Sequence, residues 1–111
     1  MNINQYLAET IQKKASDLHI ITALPPIIRI QGQLKPITEA PVLTTEDTEK
    51  LIFSLLNPEQ KDILIANREL DFSYAFEEYR FRINAYFQKG TLGKIYRYRK
   101  KLTYFIGRHK D

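Results

Sequence analysis

Four arginines near the carboxyl end of the chain have the clearest potential for chemistry, because guanidinium groups can grip phosphate oxygens bidentately. A two-residue turn at Lys89-Gly90 would place Arg82 directly opposite Arg97. The same register sets Arg80 opposite Arg99 on the same face. Like charges in direct opposition destabilise a sheet by a few tenths to about 1 kcal/mol per pair, which favours a bound anion between them. The alternative is that the arginine stems extend into water over an exposed face.

A second polar group lies near the amino end, where Asp17 and His19 are two residues apart and hence on one side of a strand. Two ligands do not make a metal site, so we predict a structural hydrogen bond between them and no metal. Ser16, just before them at a helix–strand junction, is typical of a turn residue rather than a nucleophile. No catalytic residue is predicted.

The chain has no phosphate-cradling loop of the Walker A type. Gly93-Lys94 matches the end of that motif, but the pattern also requires glycine at position 88 and a hydroxyl at position 95. The sequence has Gln88 and Ile95 there. We therefore expect the chain alone to bind no cofactor and to hydrolyse no ATP.

Length and charge describe one domain with an uneven surface. The 111 residues include no cysteine, and the net charge is +4. Residues 1–79 hold seven lysines and arginines against twelve acids, whereas residues 80–111 hold ten against one. Such a basic end suits phosphate, nucleic acid, a membrane surface or an acidic partner. With no signal peptide and no apolar run long enough to span a membrane, we expect a cytoplasmic protein.

The apolar periodicity predicts the order αβββααβββ, which is an α+β domain with a mainly antiparallel sheet and helices on one face. Asn2, Thr44 and Pro58 mark the starts of the three helices. From Leu70 the period changes to two, with a turn at Glu77-Glu78 and a last strand over residues 92–99. Residues 100–111 are then expected to form a basic tail beyond the domain.

Five motifs in this order resemble the amino-terminal region of PilT-like pilus-retraction ATPases, relatives of the GspE-like secretion ATPases. They are ASDLHI at residues 15–20, LPPIIRIQG at 24–32, ELDFS at 69–73, RFRINA at 80–85 and QKGTL at 88–92, followed by Arg97. The first two contain Asp17, His19 and Arg29, for which we predict a structural role. The resemblance covers residues 1–97.

This resemblance implies that residues 1–99 form a PAS-like amino-terminal domain. In the family, that domain sits above a RecA-like ATPase domain in a hexameric ring and closes over the ATP and magnesium bound there. It implies phosphate contacts from Arg82 and Arg97, with auxiliary contacts from Arg80 and Arg99. The implied partners are RecA-like domains of the same and neighbouring subunits and, indirectly, the pilus or secretion machinery at the inner membrane. No nucleic-acid partner is expected.

The sequence departs from the family pattern at Lys89, where arginine is usual, and after Arg97, where an apolar run containing proline is replaced by a basic segment. Two other functions therefore stay open. One is a free-standing PAS-like sensor of a small ligand. The other is a basic nucleic-acid-binding module, although the aromatic residues of the last strands alternate with the arginines and so fall on the opposite face.

Overall fold

A computed structural model of the chain describes residues 2–88 and 101–110, with the side chains of residues 2–87. The observed order is αβββααβββ, so the predicted α+β class and element order are confirmed. In the described ranges no helix could cross a membrane, since the longest have ten residues. The elements are α1 (Ile3–Gln12), β1 (Asp17–Ile21), β2 (Ile27–Ile30), β3 (Gln33–Pro36), α2 (Thr45–Phe53), α3 (Pro58–Asn67), β4 (Glu69–Phe76), β5 (Tyr79–Gln88) and β6 (Lys101–Lys110).

Side-chain caps fix the start of each helix. The Asn2 carboxamide oxygen accepts from the backbone N–H of Asn4 at 2.8 Å. Thr44 and Asn57 each form a reciprocal capping box, with Asp47 and Gln60 as their respective partners. These bonds satisfy N–H groups that have no partner inside the helix, so the predicted helix starts are confirmed.

The capping box of α2 makes that helix sensitive to mutation and to acid. The backbone N–H of Thr44 donates to Asp47 Oδ2 at 3.0 Å, and this bond, together with one from the Thr44 side chain, lowers the pKa of Asp47. Because that pKa is lower in the folded chain, the carboxylate stabilises the fold above its ordinary pKa. The contribution is lost as the pH falls through the lowered value.

We expect Thr44→Ala to lower the free energy of unfolding by about 0.5–2 kcal/mol, because a lost N-cap leaves the first turn of α2 unsatisfied. Chemical denaturation at neutral pH measures this change. Thr38→Ala, at an exposed loop threonine, is the matched control and should be neutral. Equal stability of the two variants would show that the cap contributes nothing.

The six strands form one antiparallel sheet in the order β3-β2-β1-β6-β5-β4. The turn between β2 and β3 is Gln31-Gly32, with φ of 49° and 81°. Glu77-Glu78 connects β4 to β5, as predicted. β3 is an edge strand, and there Pro36 removes no ladder hydrogen bond from a central strand.

The pairing predicted for the last hairpin is wrong. The partner of β5 is β6, so Arg82 lies opposite Gly107, and β4 occupies the other side of β5. Arg97 and the strand predicted over residues 92–99 lie outside the described residues. The segment expected to be a basic tail instead supplies β6, between β1 and β5.

The composition of β6 explains its central place. Leu102, Tyr104 and Ile106 alternate at the register positions opposite Phe87, Ala85 and Ile83, which belong to the core side of β5. A strand in the middle of a sheet needs apolar residues on its covered face.

The core lies between the helices and one face of the sheet. Leu18, Ile20, Phe81 and Ile83 are fully buried on that face. The helices contribute buried side chains that pack into the same cluster, among them Leu7, Ile52 and Leu64. Most of the charged and polar strand residues lie on the opposite face of the sheet.

Candidate phosphate-contact face

The sheet face turned away from the helices, here called the outer face, carries most of the residues singled out from sequence. Directly paired residues of antiparallel strands point to the same side of the sheet. The strand register therefore shows which residues lie on the outer face. They include Asp17, His19, Arg29, Asp71, Ser73, Arg80, Arg82 and Asn84.

One row across this face joins the two polar groups predicted separately. Ser73 pairs with Arg82, Arg82 with Gly107, Gly107 with Asp17, and Asp17 with Arg29. Arg82 and Asp17 are two strands apart, or about 10 Å between their backbones at the usual strand spacing. Gly107 has no side chain, so the row is open between them.

Asp17 is the centre of the first group, and its side chain is only 5% exposed. His19 Nε2 lies 2.5 Å from Asp17 Oδ2, so the predicted hydrogen bond is present. The Ser16 hydroxyl donates to Asp17 Oδ1, so Ser16 belongs to the same hydrogen-bonded cluster. Arg29 Nε lies 3.4 Å from the carboxylate and Arg29 Nη1 donates to the carbonyl of Gly32 at 3.3 Å.

This group ties β1 to β2. The backbone N–H of Ser16 donates to the carbonyl of Arg29 at 2.9 Å, beside the Asp17–Arg29 ion pair. The partners of the carboxylate among the described side chains are hydrogen-bond donors, and the carboxylate is buried. The group can therefore hold the hairpin together. In the described part of the chain, no three histidine, cysteine or acidic residues come together in a way that could hold a metal ion.

The second group surrounds a hollow of about 420 Å³ on the outer face of β4 and β5. Asp71, Phe72, Ser73, Arg80 and Arg82 line it. Arg80 and Arg82 are two residues apart on β5, so both guanidinium groups rise from the same side of the strand. Among the side chains that the structure describes, no carboxylate forms an ion pair with Arg82. Guanidinium groups placed this way can bind an anion.

The structure thus brings together Arg80 and Arg82 and, on the same row, Asp17 and Arg29. Arg97 and Arg99 lie outside the described residues.

Two lining residues, Asp71 and Ser73, were missed by the sequence analysis. The predicted turn at Glu77-Glu78 would have placed one of them. That turn pairs Phe76 with Tyr79, and the same register places Ser73 opposite Arg82.

Known proteins resemble this chain over most of its length. No protein-family model matches the chain. The type IV pilus retraction ATPase PilT of Pseudomonas aeruginosa is 35% identical over 98 residues, which are 87% of this chain and 28% of PilT. The type IV pilus ATPase PilU of the same organism is 29% identical over 98 residues, again 87% of this chain and 25% of PilU.

The chain is homologous to the PilT and PilU type IV pilus ATPases. It spans about a quarter of their length. A crystal structure of the pilus retraction motor PilT with bound ADP superposes on 96% of this chain and 29% of that one, with a TM-score of 0.78 and 30% identity. The fold is therefore that of a domain of PilT-type secretion and pilus ATPases.

Proposed function

We propose that the chain is the amino-terminal nucleotide-sensing and subunit-contact module of a hexameric type IV pilus retraction ATPase. In this proposal it closes over ATP and magnesium held by a RecA-like domain, and Arg82 and Arg97 contact the nucleotide phosphates. The module works in the cytoplasm, at the inner face of the membrane that carries the pilus machinery.

The observation that carries the proposal is the place of Arg82. It lies on the exposed outer face in a hollow beside Arg80, away from the helices and the core. The solved structure of the pilus retraction motor PilT contains ADP, and the chain matches about 29% of that structure. An arginine exposed on a rigid sheet suits contact with a phosphate that another domain holds, because a strand fixes the position of the side chain better than a loop does.

In this proposal another domain supplies the ATPase machinery, so joining the chain to such a domain tests it directly. A chimera would join this chain to the part of P. aeruginosa PilT that the alignment does not cover. We expect this chimera to hydrolyse ATP, and we expect the purified chain alone to show no turnover, because it has no Walker A sequence.

PilT's own amino-terminal segment, rejoined through the same junction, is the control for the joint. If the control hydrolyses ATP but the chimera is no faster than the PilT remainder alone, the proposal is overturned. Turnover by the isolated chain that survives repurification would overturn the claim that it needs a partner domain.

A further inference from the structure

The hollow on the outer face contains more than arginine. Ser73 lies directly opposite Arg82 in the β4–β5 ladder. Directly opposed side chains on one face have Cβ atoms about 4.5–5.5 Å apart, so the Ser73 hydroxyl and the Arg82 guanidinium can reach the same anion. Among the residues with described side chains, none forms a hydrogen bond with the Ser73 hydroxyl. Within that part of the chain, the hydroxyl proton of Ser73 is available to a ligand.

Asp71 introduces the opposite charge into the same hollow. It is two residues before Ser73 on β4, or about 7 Å along the strand, and it lies opposite Asn84. A carboxylate accepts hydrogen bonds and donates none when ionised, so it repels a bare phosphate. Donors at one end and an acceptor at the other suit a ligand with an anionic group and a neighbouring hydroxyl.

The size of the hollow agrees with such a ligand. Its volume of about 420 Å³ is within the range of about 300–1,000 Å³ that is usual for small-molecule sites. A lone phosphate group would occupy only a part of it.

We propose that this hollow binds a nucleotide, with Ser73 as a further phosphate donor beside Arg80 and Arg82, and with Asp71 accepting from the ribose hydroxyls. This inference rests on the proposed function for the identity of the ligand. It assigns nucleotide binding to this chain itself, and it therefore departs from the expectation from sequence that the chain alone binds no cofactor. It makes Asp71 the residue that distinguishes a nucleotide from other polyphosphates.

The test is calorimetric binding to the intact 111-residue chain at low salt and without magnesium, using ATP and 2′,3′-dideoxyadenosine triphosphate. The two ligands have the same base and phosphates and differ only in the ribose hydroxyls. We expect the wild type to prefer ATP by about tenfold, in keeping with the loss of a hydrogen bond to a charged acceptor. Asp71→Asn should reduce this preference, and Asp71→Ala should abolish it.

Ser73→Ala should lower the affinity for both ligands by about tenfold or more, because the hydroxyl donates to phosphate. The preference for ATP should not change. Asp62→Asn, at an exposed helix position, is the matched charge control and should leave both affinities unchanged. Melting curves verify that each variant is folded.

Three results would overturn the inference: no binding of either ligand, equal binding of both by the wild type, or wild-type affinity in Ser73→Ala. Failure here is distinguishable from failure of the proposed function. A chain that binds no nucleotide could still lose turnover on Arg82→Ala in the chimera. Conversely, the isolated chain could bind nucleotide as expected although the chimera needs no contribution from it to hydrolyse ATP.

Discussion

We expect Arg82→Ala in the chimera to lower the ATPase rate by about 10³-fold, and we expect the melting temperature of the isolated chain to stay near that of the wild type. The rate effect is large because an arginine that meets the transferring phosphoryl group stabilises charge that develops in the transition state. The small effect on stability follows from exposure, since Arg82 lies opposite Gly107 and Ser73 and outside the core.

Steady-state ATPase assays of the chimera and thermal melts of the chain measure the two effects separately. Arg80→Ala is the matched control. It lies on the same strand and face, and we expect a smaller loss of rate because its contact is auxiliary. An Arg82→Ala chain that fails to fold would make the arginine structural. A folded variant with wild-type turnover in the chimera would remove its phosphate role.

Asp17→Ala lowers the free energy of unfolding by about 1–3 kcal/mol, the second large effect that we expect. The substitution removes the acceptor shared by Ser16, His19 and Arg29. The loss stays below the 3–5 kcal/mol typical of breaking a fully buried ion pair, because the side chains of His19 and Arg29 are 22% and 38% exposed and can hydrate.

Denaturant titration measures this loss, and in a domain of this size each kcal/mol also lowers the melting temperature by roughly 4–8 °C. Asp62→Ala, on the exposed side of α3, is the control and should be near neutral. If zinc or nickel stabilised the wild type and Asp17→Ala abolished that effect, the group would be a metal site and the structural role would be wrong.

The sequence was sufficient for those parts of the fold that local chemistry decides. Asn2 and Thr44 begin helices because their side chains cap exposed N–H groups, and Glu77-Glu78 turns the chain between two strands of period two. Each of these features depends on residues within four positions of one another. The order and class of the elements follow from them.

The last hairpin was not predictable in the same way. Lys89-Gly90 is a good two-residue turn, and the local pattern therefore favoured the strand that follows it immediately. The pairing is instead decided by burial across the whole sheet, which places β6 between β1 and β5. Such selection among candidate strands depends on side-chain packing against distant elements, which a local pattern does not contain.

In the candidate site, too, local sequence predicts some features, and others depend on the pairing of distant strands. The alternation along β5 predicted that Arg80 and Arg82 share an exposed face, and the structure agrees. That Asp17 lies on the same row as Arg82 could not be predicted, because it requires the register of β6 against both neighbours.

The most direct measurement is a structure of the chimera with a bound, non-hydrolysable ATP analogue and magnesium. We predict that in at least one subunit a guanidinium nitrogen of Arg82 lies within about 2.7–3.2 Å of a phosphate oxygen, which is hydrogen-bond distance. An outer face that is remote from the nucleotide in every subunit, with Arg82 exposed only to solvent, would contradict it.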